Sequence, residues 1–163
     1  MAVSEIIGAA VGVMLLIIVA YVVVSGTLIA GETMATAQKD LTLQQEARIR
    51  TAFAISDQRN DTSNLILANI SNTGTEIIGD FKHMDVIVYD KDDSEYDICI
   101  YKSTEGAMQG YWGIYPNADE FIHKNELDPG EKYEIWIQPP ATITSPKWFQ
   151  ITTANGVYAS AFI

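Results

Sequence analysis

IIGAAVGVMLLIIVAYVVVSGTLIA, residues 6–30, is a stretch of twenty-five residues without a single charge. At about 1.5 Å per residue, a helix of this length spans the roughly 30 Å hydrocarbon layer of a membrane. The segment predicts a membrane-spanning helix, because lipid leaves its backbone no hydrogen-bond partners other than its own. A cleavable secretory signal would begin with basic residues, and the first cation here is Lys39.

Three residues at the start of this segment are candidates for helix packing: Glu5, Gly8 and Gly12. The two glycines form a G-x-x-x-G pattern, which allows a second helix to approach closely, although each glycine could equally face lipid. Glu5 stands at the edge of the apolar segment. Its carboxylate is either solvated or paired, for example with the amino terminus of a neighbouring chain.

The helix is expected to continue beyond the membrane. Residues 31–50 are rich in Ala, Gln, Leu, Glu and Arg, with no proline and no glycine after Gly31. We therefore expect one helix over residues 1–50, about 70 Å long at the standard helical rise, whose second part forms a stalk.

Residues 51–163 follow a different pattern, in which apolar side chains alternate with period two between turn residues, as is typical of an antiparallel β-sandwich. We predict strands at 51–57, 63–71, 84–90, 95–102, 110–115, 132–138, 147–153 and 156–162. Asn155-Gly156 predicts a two-residue hairpin between the last two of them. The expected fold is a long amino-terminal helix, membrane-spanning at its start, followed by an all-β sandwich at 51–163.

Charge and cysteine content exclude several classes of protein. The net charge of −11 argues against a nucleic-acid partner, which requires clustered cations. Cys99 is the single cysteine, so neither an internal disulfide nor a zinc site with paired cysteines is possible, and its place between two isoleucines favours a buried structural thiol.

No enzyme is indicated, because no nucleophile, base and orienting group can be named, and no cofactor motif is present. Two other binding chemistries remain open. The acidic residues Asp90, Asp92, Asp93, Glu95 and Asp97 suit calcium in principle, but a solvated hairpin tip is favoured over a metal site. An aromatic cluster forms either a binding face for carbohydrate or part of the core; its members are Tyr111, Trp112, Tyr115, Phe121, Trp136 and Trp148.

Two N-x-[ST] sequons, at Asn60 and Asn69, are candidate glycosylation sites. The first is expected in a loop and is the better candidate. Such short patterns also arise by chance.

Several short segments resemble a known family. The opening residues AVSEIIGA, 2–9, resemble the amino terminus of archaeal type IV pilin-like proteins, including the acid at the fifth position. Four further segments are similar to archaellins and to the archaellum accessory proteins F and G: RIRT at 48–51, NISNTG at 69–74, DVIV at 85–88 and LDPGE at 127–131. The arginine-rich helix end and the Asn-Thr-Gly segment favour F over G.

The resemblance implies an immunoglobulin-like β-sandwich in the archaellum, the rotary swimming filament of archaea. Filament subunits of this family carry a short basic leader that a prepilin-type peptidase removes, whereas Met1-Ala2-Val3 follows no such leader. We therefore expect a membrane-resident accessory protein, part of the stator, whose sandwich binds the surface layer (S-layer) or another envelope protein. Membrane lipid and other archaellum subunits are the expected partners of the helix, and homo-oligomers are possible.

Three alternatives stay open. The chain could be a filament-forming archaellin or pilin that assembles through Gly8 and Gly12, or a membrane-tethered module for carbohydrate or metal. The third concerns sidedness, since Lys39, Arg48 and Arg50 follow the apolar segment and nothing basic precedes it. The positive-inside rule would place the sandwich in the cytoplasm, against the extracytoplasmic location that the resemblance implies.

Overall fold

A computed structural model of the chain describes residues 2–61, 64–90, 95–103, 108–115, 123–143 and 145–163. The chain divides into two compact units, Met1–Gln44 and Gln45–Ile163. We call the second unit the head. The predicted boundary between residues 50 and 51 coincides with the end of the helix. The second unit begins six residues earlier, at Gln45, so it includes the last six residues of the helix.

Helix α1 is continuous over Ala2–Arg50, as predicted. The large apolar side chains between Val3 and Ile29 are exposed, because no other described element covers them. Among the described residues, α1 is the one helix whose length and composition would allow it to cross a membrane, and a signal sequence near an amino terminus has the same properties.

The described residues of the head form eight strands, and each lies within three residues of a predicted one. They are β1 Phe53–Asn60, β2 Ile66–Asn72, β3 Asp85–Asp90, β4 Glu95–Tyr101, β5 Tyr111–Ile114, β6 Lys132–Gln138, β7 Pro146–Thr152 and β8 Tyr158–Phe162. The predictions succeeded because a period of two places alternate side chains on opposite faces of a strand.

The strands pair in the order β1-β2-β6-β5-β4-β3-β7-β8, and β1 lies beside β8, so the sheet nearly closes on itself. The first layer of this sandwich is β1-β2-β6-β5 and the second layer is β4-β3-β7-β8. This confirms the predicted helix and sandwich. One pair departs from the predicted antiparallel arrangement, since β4 and β5 are parallel at Ile100↔Tyr111 and Tyr101↔Trp112.

The core lies between the layers and uses every second residue of the central strands. Its fully buried members include Ile66, Ala68, Val86, Val88, Trp112, Ile135, Ile137, Phe149 and Ile151. Burial of side chains of this size supplies about 1.5–3 kcal/mol each, and this is the main stabilising term of the fold.

The β7–β8 hairpin is one residue longer than predicted. The backbone N–H of Thr153 donates to the Val157 carbonyl at 2.8 Å, so residues 154–156 form a three-residue loop. Gly156 has a φ of +81°, which an L side chain rarely adopts. The Asn-Gly signal therefore identified the hairpin correctly but not its loop, because a type I turn closed by a left-handed glycine uses the same residues.

The end of α1 is bonded to two loops of the head. The Arg50 carbonyl accepts hydrogen bonds from the backbone N–H groups of Thr75, at 2.9 Å, and Glu76. The Asn155 side chain donates to the Thr51 hydroxyl, at 2.6 Å, on the other side. A Cβ on Gly74 would collide with the Arg50 carbonyl oxygen and the Ala52 nitrogen, so only glycine allows this close approach.

Truncation of the core should cost much more stability than truncation of an equally large exposed ring. We expect Phe149→Ala to lower the free energy of unfolding of residues 45–163 by about 3–5 kcal/mol, because Phe149 is fully buried. Phe162→Ala on β8 should change it by less than about 0.5 kcal/mol. Urea denaturation measures both, and equal losses would contradict the assignment of the core.

Candidate functional site

The outward side of the second layer is apolar although it faces solvent. Twelve residues point outward from its four strands, and we call them the outer face: Asp85, Ile87, Tyr89, Tyr96, Ile98, Ile100, Trp148, Gln150, Thr152, Tyr158, Ser160 and Phe162. Five of its large side chains are between 58% and 77% exposed. Contiguous exposed apolar surface of this kind marks interaction sites in soluble domains.

Four aromatic residues cross the outer face in one row. Tyr96 pairs with Tyr89, Tyr89 with Trp148, and Trp148 with Phe162, on β4, β3, β7 and β8 in turn. With strands about 4.8 Å apart, the row is about 14 Å long. The ring centroids of Tyr89 and Tyr96 are 4.6 Å apart and the ring planes are tilted by 33°, so these two rings are in contact.

The first layer has the opposite character on its outward side, which carries ion pairs. Lys132 Nζ lies 2.9 Å from Asp57 Oδ2, and Arg59 pairs with Glu134. The hydrogen bond from Lys132, followed by that from Asn69, lowers the pKa of the Asp57 carboxyl. Charged pairs of this kind are typical of a solvated surface, so the outer face of the second layer is the better candidate for a binding site.

The predicted helix-packing residues lie along the exposed start of α1. Glu5 is in its first turn and is exposed. Gly8 and Gly12 are four residues apart and therefore share one side of the helix, and a Cβ at either position would contact nothing within 4 Å. Their role in helix packing stays a prediction.

The two sequons differ in their surroundings. Asn60 is exposed and is the last residue of β1, where it pairs with Ile66. The sequence placed it in a loop, and the structure places it at the end of a strand. Asn69 lies in the middle of β2, between two paired strands, and its amide donates to Asp57 at 2.8 Å. Glycosylation of either residue stays a prediction.

The predicted aromatic cluster does not form one surface. Trp112 and Trp136 are fully buried, Trp148 lies on the outer face, and Phe121 is outside the described residues. Prediction from the sequence missed Tyr89, Tyr96 and Phe162. A signal for Tyr89 and Tyr96 existed, because β3 over residues 86–89 and β4 over residues 98–101 are apolar at both alternating positions, which indicates that both faces of a strand are covered.

The residues considered for metal and thiol chemistry have structural roles. Cys99 is buried, and this burial raises the pKa of its thiol to about 12, so the reactive thiolate does not form at neutral pH. Asp90 is buried and its carboxylate accepts the Ser145 backbone N–H at 2.8 Å. Asp92 and Asp93 lie outside the described residues, and the described part of the chain contains no His, Cys, Asp and Glu group suited to a metal.

Two histidines pair with carboxylates. His83 Nδ1 is 2.8 Å from both carboxylate oxygens of Asp80, on an exposed turn. His123 Nδ1 is 2.9 Å from Oδ1 of the buried Asp128, whose Oδ2 accepts the His123 backbone N–H. The hydrogen bond to Asp128 raises the pKa of His123 above its ordinary value of 6.5. These pairs lie in separate turns and lack a neighbouring nucleophile within the described residues, so they indicate no reaction.

The solved structures that are similar to the chain include two from one archaeal organism. One is the archaellum periplasmic stator protein FlaG from Sulfolobus acidocaldarius, with 23% identity, a TM-score of 0.49, and coverage of 69% of this chain and 99% of that one. The other is the archaellum periplasmic stator protein complex FlaF and FlaG from the same organism, with 23% identity, a TM-score of 0.48, and coverage of 68% and 87%.

Both structures come from the group of archaellum proteins that the sequence segments resemble, and the choice of F over G stays a prediction. No protein-family model matches the chain, and no curated protein sequence matches it.

The His123–Asp128 pair should make stability depend on pH. Because the pKa of His123 is raised in the folded state, its contribution should be complete below the unfolded pKa of about 6.5 and be lost as the pH rises through the folded value. NMR titration of the His123 ring measures this pKa. Asp128→Asn should bring it back towards 6.5, and an unchanged value in that variant would contradict the pairing.

The two sequons should differ in modification. We expect glycan at Asn60, whose side chain is exposed, and none at Asn69, whose amide is bonded within the sheet. Mass spectrometry of the native protein tests this: Asn60→Gln should remove the added mass, and Asn69→Gln, the matched control, should leave it. Glycan on Asn69 would contradict the expectation.

Proposed function

We propose that this chain is a structural, membrane-anchored component of the archaellum, a stationary part of the motor whose head binds the cell envelope or S-layer outside the membrane. The observation that carries the proposal is the outer face, a broad apolar surface on a domain that offers no catalytic arrangement in its described residues. The archaellum assignment rests on the family resemblance of segments 2–9, 48–51, 69–74, 85–88 and 127–131.

The anchoring part of the proposal is supported by α1. Residues 6–30 have no charge and expose their apolar side chains, which is stable in lipid and costly in water. Membrane lipid is therefore the proposed partner of this segment, and other archaellum subunits are the proposed partners of the side that carries Gly8 and Gly12.

The bonds at the end of α1 fit a protein that bears load. The Arg50 carbonyl accepts two backbone hydrogen bonds, and the Arg50 guanidinium lies 3.3 Å from Glu46 and 3.7 Å from Glu76. Residues 45–50 therefore belong to the same compact unit as the strands. A force on the head would reach the helix through these bonds.

Two clefts of the described head differ in size. The cleft lined by Thr51, Ile78 and Asn155 has a volume of about 100 Å³, and a more open cleft lined by Arg48, Thr51 and Tyr158 has about 360 Å³. Pockets for small molecules usually have about 300–1,000 Å³ and a few converging polar groups. Neither cleft brings together a nucleophile, a base and an orienting group among the described residues, so binding of a partner to the outer face is favoured over catalysis.

Protease treatment of intact cells tests the location of the head. We expect external protease to degrade residues 45–163 while cytosolic proteins stay intact, and alkaline carbonate to leave α1 in the membrane fraction. Lysed cells serve as the control for protease activity. A head that becomes accessible only after lysis would place it in the cytoplasm, as the cations at Lys39, Arg48 and Arg50 would favour, and would overturn the proposal.

A filament subunit is the second candidate function. It is favoured by the G-x-x-x-G pattern on an exposed helix, where nothing lies within 4 Å of the Cβ positions of Gly8 and Gly12. The mass of the native amino terminus and the protein content of sheared filaments distinguish the two. Abundance in sheared filaments would favour the subunit, and retention in the cell body would favour the anchor.

A further inference from the structure

Half of the outer face combines exposed aromatic rings with uncharged polar groups. On β7 and β8 the outward residues pair as Trp148↔Phe162, Gln150↔Ser160 and Thr152↔Tyr158. We call these six residues the β7–β8 surface. Phe162 is 77% exposed and Tyr158 is 66% exposed, so their rings are available to a partner.

The polar groups of this surface lie between its rings. Gln150 and Ser160 form the middle pair, with aromatic residues on either side along β8. The Gln150 amide donates to the Thr152 hydroxyl at 3.3 Å, which orients the amide within the surface. Amide and hydroxyl groups both donate and accept hydrogen bonds, as sugar hydroxyl groups require of a binding site.

Charge selects the class of ligand. The head sequence from residue 51 contains seventeen acidic and seven basic residues, a net charge of −10, yet none of the six residues of the β7–β8 surface is charged. An anionic ligand would be repelled by the domain, and a cationic one would prefer its acidic parts. The uncharged β7–β8 surface therefore suits an uncharged ligand best.

The other half of the outer face differs in chemistry. Its outward residues on β3 and β4 are Ile87, Ile98 and Ile100, the contacting pair Tyr89 and Tyr96, and Asp85. It offers apolar area but, at the described outward positions, no amide and no aliphatic hydroxyl. The rings alternate with hydrogen-bonding groups only on β7 and β8.

We propose that the β7–β8 surface binds a neutral glycan of the cell envelope, by stacking sugar rings on Trp148, Phe162 and Tyr158 while Gln150 and Ser160 bond to sugar hydroxyl groups. Aromatic rings present large, rigid apolar faces that suit the C–H faces of sugars. This inference rests on the proposed function, since it names the chemistry of the envelope partner.

Cosedimentation of residues 45–163 with isolated envelopes tests the proposal. These residues form a compact unit with their own core. Mild periodate cleaves vicinal diols of sugars and should abolish binding. Trp148→Ala and Phe162→Ala should each weaken binding by about tenfold, the change expected for the loss of one ring contact. The control Ile77→Ala, at an exposed apolar residue outside the outer face, should bind as the parent does.

The outcomes distinguish the glycan proposal from the proposed envelope binding. Equal binding to periodate-treated and untreated envelopes would overturn the glycan and leave envelope binding intact, with a protein surface as the partner. Failure to bind either envelope would overturn both proposals. Loss of binding in Ile77→Ala would place the binding site outside the outer face. Dissociation of a head dimer by Phe162→Ala would show that the face is a protein interface. Either result would overturn the glycan.

Discussion

The three hydrogen bonds of the Asn72 side chain are the interaction on which the attachment of α1 to the head depends. The side chain is buried, and its NH₂ group donates to the Glu76 carbonyl at 2.7 Å and to the Leu127 carbonyl at 2.8 Å, while its oxygen accepts the Gly74 N–H at 3.0 Å. Unpaired backbone groups at this depth would cost about 1–3 kcal/mol each. Asn72 therefore fixes the loop of residues 73–76 against the turn that follows Leu127.

That loop in turn holds the end of α1. Its Thr75 and Glu76 N–H groups donate to the Arg50 carbonyl, and Gly74 leaves room for this approach. The last carbonyls of a helix have no partners within the helix, so such bonds satisfy groups that would otherwise need water. One buried asparagine thus links the stability of a loop to the attachment of the helix.

The sandwich explains how a common fold carries a distinctive surface. The main core uses one side of each strand, and β6 also buries Trp136 on its other side. The other side is otherwise polar on the first layer, as is normal in antiparallel sheets, and carries the ion pairs Lys132–Asp57 and Arg59–Glu134. On the second layer this side is instead apolar and aromatic. These exposed apolar side chains contribute little to the stability of the fold, because they are not buried. Their presence on the surface therefore indicates an interaction with a partner.

The sequence by itself determined the continuous helix to Arg50, the eight strands and the burial of Cys99, because each depends on local periodicity and length. Tertiary structure alone decided the rest. The parallel β4–β5 pair, the burial of Trp112 and Trp136, and the alignment of Tyr96, Tyr89, Trp148 and Phe162 depend on register between strands distant in sequence. The alternation of one strand shows which residues share a face but not which strand lies beside it.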